Sequence, residues 1–298
     1  MIKRIILACL FFLVFVQPLA AQNHELLKVI VLFDRPLSPD TFLYRVLDLA
    51  LKNQSIHYDL KIEAIQTSQP RRVEIVSASS KNYVIALGSG HKLEAQLQAV
   101  YVPIQLGLGL GQRIILTRMD LVDELKKVKT LDDLYGYVFG QGLGWTDVKI
   151  MRDANLQVLA LAKPTNIPKM IMHGRVDLYP RGLFEIDLEY ARYAPDNPGL
   201  VIDEHLVLSY PLASFFYVRK GNDKLYNALK SGLEKAYETG QLQDLVMTDP
   251  VLSKTLRNIH LDKRVKIEIP VNNASENTLN ALKRFQFIPE KPIGQPVR

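Results

Sequence analysis

The sequence predicts an exported α/β protein built from two lobes. Three observations support this: strand and helix patterns alternate along the chain, its first segment resembles an export signal, and 298 residues suffice for two lobes. Repeated β–α–β units favour a mostly parallel sheet flanked by helices in each lobe.

The first 21 residues have the build of a cleavable secretory signal. Lys3 and Arg4 supply a positive start, and residues 5–16 form an apolar run too short to cross a bilayer comfortably. A lipoprotein site at Cys9 is disfavoured, because only four residues separate it from Arg4. We therefore expect a periplasmic protein that begins near Gln22.

Cysteine content and charge exclude several classes of function. Cys9 is the sole cysteine, so removal of the signal excludes disulfides, zinc–thiolate sites and cysteine nucleophiles. The chain has 37 basic and 31 acidic residues, and its charge of +6 falls to +4 without Lys3 and Arg4. The charges are interspersed, which favours mild attraction of anionic solutes over nucleic-acid binding.

The first block of the chain begins with a buried strand. Residues 27–33 form a continuous apolar run, as in a strand covered on both faces. Ser38 and Pro39 are typical of a helix N-cap and first turn. Further strands are predicted over residues 58–64 and 83–87, with a short helix over 73–78.

The second block begins near Gly107 and continues the alternation. Its predicted strands cover residues 112–118, 136–140, 156–161 and 176–179, followed by strands near Val207 and Phe215. Its predicted helices cover residues 121–127, 147–154, 164–173, 183–193 and 222–238. An apolar stripe at helical spacing supports the last of these helices.

Residues 103–246 resemble the family 3 periplasmic solute-binding proteins. The matching segments are PIQLGLGLGQRIILTR, YGYVFGQGLGWTD, MHGRVDLYPRGLFE, SYPLASFFYVRKGN and the helix ending AYETGQLQDL. The resemblance is to an uncharacterised branch with Pro-Arg-Gly in lobe two. It implies the type II two-lobed fold.

This resemblance also implies domain boundaries. Lobe one would comprise residues 22–106 plus about 219–288, and lobe two residues 107–218 with the hinge strands. Residues 289–298, which contain Pro292 and Pro296, would form a loosely held tail.

Arg181 is the first candidate ligand-binding residue. It follows the predicted strand 176–179, and its guanidinium suits a carboxylate, although it could instead pair with Glu185. Glu185 is itself a further candidate ligand-binding residue. In amino-acid binders of the family, an aspartate after this strand binds the ligand's ammonium group. Gly182 takes that place here, which disfavours a standard α-amino acid and favours an anionic ligand held by a cationic lobe two.

The loop from Gly140 to Asp147 is the second candidate. Free amides before a helix attract anions, so Gly142 and Thr146 are expected to contact the ligand. Trp145 could stack on the ligand or pack in the core. A tight turn that requires glycine is the alternative interpretation of the loop.

Lobe one offers Arg71 and Arg72 at the start of a helix. Family members often hold a carboxylate with a lobe-one arginine, but a solvated helix start is favoured here. Residues 88–91 could line the cleft or form a plain loop. Residues 107–111 and 205–211 are the predicted hinge.

These features predict a monomeric solute-binding protein for transport or sensing, with no cofactor and no metal site. Its expected partners are a membrane permease of an ABC transporter or a sensor kinase. Asp203, Glu204 and His205 are too local for a metal site. The alternatives are a dehydratase-type enzyme on the same fold, with a catalytic carboxylate such as Glu185, and a protein-interaction module without a ligand.

Overall fold

A computed structural model describes residues 26–272, 274–285 and 287. The predicted signal and the predicted tail lie outside these residues. The strands are β1 (Leu27–Phe33), β2 (Tyr58–Ala64), β3 (Tyr83–Gly88), β4 (Leu97–Val100), β5 (Gln112–Arg118), β6 (Val138–Gly142), β7 (Gln157–Leu161), β8 (Tyr179–Gly182), β9 (Leu200–Ile202), β10 (Leu206–Ser209), β11 (Ser214–Arg219) and β12 (Val265–Glu268).

Eleven α-helices accompany these strands in the described part of the chain. They are α1 (Phe42–Lys52), α2 (Gln69–Ala78), α3 (His91–Gln96), α4 (Val122–Leu125), α5 (Thr146–Asp153), α6 (Ile167–Met172), α7 (Ile186–Tyr193), α8 (Asp223–Glu238), α9 (Gln241–Thr248), α10 (Pro250–Asn258) and α11 (Glu276–Arg284). No helix among the described residues is both long and apolar enough to cross a bilayer.

Lobe one is built on a five-stranded sheet with the order β2-β1-β3-β11-β4. The first three strands are parallel, and β11 runs antiparallel to both of its neighbours. Helices α1 and α8 pack closely on each other, since a Cβ at Gly232 would lie 1.9 Å from the carbonyl oxygen of Ala50. Glycine is therefore required at this helix crossing.

Lobe two is built on the sheet β12-β10-β5-β8, with β9 also paired to β5. The parallel pair β6-β7 joins this sheet through a single bridge between Phe139 and Leu178. Strand β5 runs antiparallel to β8, β9 and β10. The α/β class is confirmed, but the sheets are more mixed than the β–α–β pattern predicts, because strands next to the interlobe crossings reverse direction.

Within the described residues the chain crosses between the lobes four times. The crossings lie between β4 and β5, between β10 and β11, between α10 and β12, and between β12 and α11. This differs from the predicted boundaries, because β11 belongs to the lobe-one sheet and β12 to the lobe-two sheet. Arg264, just before β12, helps to hold this strand in lobe two, because it donates to the carbonyl oxygens of Asp203 and Leu206 at 2.6 and 3.0 Å.

Two local differences from the sequence prediction affect the cleft. Helix α1 begins at Phe42 rather than at Ser38, because the Ser38 hydroxyl accepts from the amide of Asp40 in a preceding turn. Strand β8 starts later than predicted and contains Arg181, which is paired in register with Ile114 of β5. Arg181 therefore projects from a strand and not from the loop after it.

Candidate functional site

A cleft of about 670 Å³ lies between the lobes. This volume is in the usual range for small-molecule sites. Lobe one contributes the segment after β1 and the start of α2, and lobe two contributes β8, α7 and the start of α5. Residues 249–252, at the start of α10, form part of a third side.

The loop before α5 contacts lobe one. Gln69 donates its side-chain amide to the carbonyl oxygen of Gly144 at 3.2 Å. A Cβ at Gly90 would lie 3.1 Å from the hydroxyl oxygen of Thr146, which places these two residues against each other. The lobes therefore touch at this loop, and a ligand enters the cleft only if these contacts separate or if it comes from another side.

Arg181 lies in the lining of the cleft and is buried, and its Nε and Nη2 are engaged by lobe-two carboxylates. Its Nε and Nη2 bind the two carboxylate oxygens of Glu189 at 2.6 and 2.7 Å, and Nη2 lies 3.0 Å from Glu185. The guanidinium carbon lies 4.5 Å from the ring centre of Trp145 and 5.0 Å from that of Tyr179. Burial opposes the charge on Arg181, but the two carboxylates raise its pKa well above the usual value.

A second buried arginine, Arg113 of β5, extends this network. Its Nη2 lies 2.6 Å from Asp147 of α5, and its Nε donates to the hydroxyl of Tyr210 at 3.0 Å. The Tyr210 hydroxyl in turn donates to Asp147. Burial and then the Asp147 carboxylate raise the pKa of Tyr210, against the opposing effect of Arg113. This hydroxyl therefore remains a proton donor.

Glu185 connects the two arginines. It lies 3.6 Å from Arg113 as well as 3.0 Å from Arg181, and it accepts a hydrogen bond from the amide of Gly182 at 2.9 Å. Desolvation raises the pKa of Glu185, but the two guanidinium groups and this amide outweigh it and hold the pKa below its ordinary value. The carboxylate is therefore ionised at neutral pH.

The lobe-two side of the cleft is neutral overall. Its charged lining residues are three arginines, Arg113, Arg181 and Arg192, and three carboxylates, Asp147, Glu185 and Glu189. The expectation of a cationic lobe two is therefore wrong. Arg181 was predicted to hold a ligand anion, but carboxylates of its own lobe already occupy its Nε and Nη2 donors.

In lobe one the neighbouring side chains of Arg71 and Arg72 have different environments. Arg71 is exposed and pairs with Glu74 at 2.8 Å, as a solvated helix start predicts. Arg72 is only 9% exposed and lines the cleft. Its Nη1 donates to the carbonyl oxygen of Thr67 at 2.7 Å, and Asp34 lies 3.7 Å away. The preferred interpretation of this pair was thus wrong for Arg72, because α2 turns that side chain into the cleft.

The predicted glycine-rich loop positions Trp145. A Cβ at Gly142 would lie 2.3 Å from the indole ring, so glycine is needed for the ring to fold back against the end of β6. The ring is half-buried and faces Arg181. Thr146 begins α5, whose N-terminus has no side-chain cap.

Several candidates from the sequence have structural roles. Ser89 exchanges hydrogen bonds with Ala213, since its amide donates at 2.8 Å and its hydroxyl accepts at 3.2 Å. Asp203 accepts from the amides of His205 and Leu206. No cluster of metal ligands occurs among the described residues.

Sequence reasoning missed Arg113, Asp147 and Glu189, which line the cleft, and Tyr210, which is buried in contact with the first two. Glu189 lies one helical turn after Glu185, and this spacing is a signal that could have been used. Arg113, Asp147 and Tyr210 belong to separate elements and meet only through the antiparallel pairing of β5 and the position of α5.

Comparison with known proteins identifies the fold. No protein-family model and no curated protein matches the chain. A Salmonella typhimurium periplasmic binding protein described as having high arginine specificity superposes with a TM-score of 0.54 at 16% identity, over 73% of this chain and 96% of that chain. The chain has the periplasmic binding protein fold.

Two further solved structures agree with this fold. An amino-acid ABC transporter substrate-binding protein from Streptococcus pneumoniae, bound to L-arginine, has a TM-score of 0.54 and 14% identity, over 78% of this chain and 94% of that chain. A histidine kinase sensor domain with similarity to periplasmic binding proteins has a TM-score of 0.53 and 13% identity, over 73% of this chain and 93% of that chain. Likenesses at such low identity concern architecture only.

Proposed function

We propose that this protein is an exported solute-binding protein that captures a small, carboxylate-bearing molecule in the interlobe cleft. The observation that carries the proposal is the environment of Arg72. A buried guanidinium is costly unless its charge and its donors are matched. Within the described residues, the side chain of Arg72 donates one hydrogen bond, to Thr67.

The nearest carboxylate, that of Asp34, compensates Arg72 only in part. Asp34 lies 3.7 Å from Nη1, beyond the usual length of a hydrogen bond. Desolvation lowers the pKa of Arg72 despite the attraction of Asp34, and the neighbouring Arg35 lowers it further. A ligand carboxylate in the cleft would add a closer anionic partner than Asp34 and could bind the guanidinium fork with two hydrogen bonds.

The opposite side of the cleft suits the polar end of such a solute. Glu185 is ionised, and its side chain is 37% exposed, so it can accept from an ammonium or hydroxyl group of the ligand. The solute would then connect Arg72 of lobe one to Glu185 of lobe two. Such a bridge favours the closed arrangement of the lobes, because only that arrangement provides both partners.

A binding role is favoured over the dehydratase alternative. A general acid or base works best when its pKa lies near the operating pH. The two arginines hold the pKa of Glu185 below its ordinary value, which makes this carboxylate a poor proton donor and a weak base.

The neighbouring structures support the classes of partner that we propose. One is described as an ABC transporter substrate-binding protein and another as a sensor domain of a histidine kinase. We therefore propose that this protein is a monomer that delivers its solute to a permease or a sensor kinase. The export signal predicted in residues 1–21 supports a periplasmic location for this complex.

A thermal-shift screen of organic acids, amino acids, sugars and aromatic acids tests the proposal. A ligand at 100 times its Kd adds about 2.7 kcal/mol, which for a chain of this length raises the Tm by roughly 5–11 °C. We expect carboxylates to produce such shifts and neutral sugars to produce none.

Arg71 and Arg72 then provide a matched pair of variants. For a carboxylate found in the screen, loss of one partner of a buried charge pair costs about 2–5 kcal/mol, so Arg72→Ala should weaken binding roughly 30- to several-thousand-fold. Arg71→Ala should remain within about threefold of wild type, under 1 kcal/mol. Equal affinities for the two variants in calorimetry would contradict the site, and a screen with no stabilising carboxylate would contradict the function.

A further inference from the structure

The side chains around Arg181 form a box that offers a guanidinium group two aromatic rings and two carboxylates. Two aromatic rings, those of Trp145 and Tyr179, lie 4.5 and 5.0 Å from the guanidinium carbon. Two carboxylates, those of Glu185 and Glu189, bind its edge. Aromatic faces and paired carboxylate oxygens are the groups that recognise a planar cation. We call these four side chains the guanidinium box.

The Pro-Arg-Gly segment is shaped to fill this box. Arg181 extends from β8, whose backbone is fixed by pairing with β5. A Cβ at Gly182 would lie 2.9 Å from the carboxylate oxygen of Glu185, so glycine lets this carboxylate reach the Gly182 amide and the edge of Arg181. Gly182 therefore makes room for Glu185, in the place where amino-acid binders of the resembled family have an aspartate.

The box lies on the surface of the cleft. Its four members and Arg181 all line the cavity between the lobes. A solute in the cleft that carried a guanidinium group would find this group's matching surface already occupied by a side chain of the protein.

We propose that Arg181 is a built-in occupant of the guanidinium box and acts as a specificity residue that excludes guanidinium-bearing solutes. The exclusion of guanidinium-bearing solutes rests on the proposed function, whereas the ability of the guanidinium box to bind a guanidinium group does not. The cleft then selects carboxylates whose other end is neutral or a small polar group, which fits beside Glu185 without displacing Arg181.

Chemical rescue of Arg181→Ala tests the box directly. This variant removes the guanidinium and leaves the carboxylates and rings in place, so methylguanidinium should bind in the space. Trp145 is the sole tryptophan, and its fluorescence therefore reports on the box. We expect a saturable fluorescence change and a rise in Tm in Arg181→Ala, with no saturable change in the wild type. Methylammonium at equal concentration controls for charge and ionic strength.

The double variant Arg181→Ala/Glu189→Gln assigns the response to the box. It removes the carboxylate that binds the Arg181 edge through two oxygens, so methylguanidinium affinity should fall at least about tenfold. If Arg181→Ala does not fold alone, methylguanidinium should restore its near-ultraviolet circular dichroism during refolding, and failure to do so would overturn the proposal. A folded Arg181→Ala that responds no more than wild type would overturn it equally.

A separate arm tests the exclusion of solutes. L-Arginine should bind Arg181→Ala at least about tenfold more tightly than wild type, because its guanidinium can enter the vacated box while its carboxylate binds Arg72. Tight binding of L-arginine to the wild type would contradict the exclusion. If methylguanidinium rescues Arg181→Ala but no carboxylate binds the wild type, the proposed function is wrong and the guanidinium box stands. If a carboxylate binds the wild type but methylguanidinium does not rescue Arg181→Ala, the guanidinium box alone is wrong.

Discussion

Arg72 and Arg181 are two buried arginines that line one cleft from opposite lobes, and their environments differ. Arg181 binds both oxygens of Glu189, contacts Glu185 and lies against two aromatic rings. Arg72 donates one hydrogen bond, to the Thr67 carbonyl, and lies 3.7 Å from one carboxylate. Burial is thus similar for the two arginines, and the number of internal partners is what separates them; we use this difference to propose Arg72, rather than Arg181, as the ligand-binding arginine.

The same difference applies to the two sides of the cleft. The lobe-two side holds a connected network in which Arg113 and Arg181 share Glu185. The lobe-one side holds Arg72 and the exposed Arg35, which lies over the ring of Phe33 and close to Arg72. The lobe-two network satisfies most of its own charges and so stabilises the free protein, whereas Arg72 has one loose ion pair, with Asp34 at 3.7 Å.

The largest effect should come from Arg181→Ala. Removing one partner of a buried ion pair leaves an uncompensated charge and costs about 3–5 kcal/mol. Urea denaturation should show this loss in the free energy of unfolding, with little change in the slope m. A loss of unfolding free energy under about 1 kcal/mol would show that the ion pairs of Arg181 are exposed to solvent. Arg181 would then contribute no more to stability than Arg72.

An intermediate effect is expected from Tyr210→Phe. The hydroxyl bridges Arg113 and Asp147, and its loss leaves a buried donor and a buried acceptor each short of one partner, at about 1–3 kcal/mol. Calorimetric unfolding measures the loss. Tyr135→Phe is the control, because this lobe-two tyrosine is exposed and its hydroxyl removal should cost under about 0.5 kcal/mol. Equal losses for the two variants would count against the buried network.

The stability of the protein should depend on the ionisation of Glu185 at acid pH, because Glu185 pairs with the two arginines. Its pKa is lower in the folded protein than its ordinary value, because the attraction of Arg181 and Arg113 outweighs desolvation. The stability it contributes is therefore present above the ordinary carboxyl pKa of about 4.3 and is lost as the pH falls through the lower, folded value. Urea midpoints measured across this acid range should fall less steeply for Glu185→Gln than for wild type. Parallel curves would show that Glu185 is not coupled to the arginines.

The smallest effect on stability is expected from Arg72→Ala. The variant loses one hydrogen bond, but it also removes the desolvation cost that lowers the pKa of Arg72, so unfolding should change by less than about 1 kcal/mol. Chemical denaturation in the absence of ligand measures this difference. A loss as large as that of Arg181→Ala would make Arg72 a structural residue and would leave the proposed function without its main support.

Much of the fold could be predicted from local patterns. The strands β1, β2 and β5 lie at the predicted residues, since continuous or alternating apolar runs specify a strand without reference to distant partners. Helix α8 follows Asn222, whose side chain caps it. Strand β12 was missed because its four residues are mostly exposed or half-buried charged and apolar side chains with no clear periodicity.

Several residues of the candidate site could be predicted from the sequence, but their ion pairs could not. Sequence patterns selected Arg181, Trp145 and Glu185, and the structure brings these three together. The same patterns assigned Arg181 to an external anion and gave Arg72 less weight. The pairing of Arg181 with Glu189 and the burial of Arg72 depend on tertiary contacts, which leave no local signal in the sequence.

The sequence by itself determined the strand and helix segments, the glycines that permit close approach, and the inventory of charges available to a cleft. Only the tertiary structure decided that Arg181 is closely paired with two carboxylates and that Arg72 is only loosely paired with one. The physical reason is that propensity and hydrophobic periodicity act between near neighbours in the chain, whereas ion pairing depends on distances and desolvation that packing creates. Strand β5 places its own Arg113 beside Asp147. Its pairing with β8 holds Arg181 close to Glu189 of α7, so residues far apart in sequence share one buried volume of low dielectric constant.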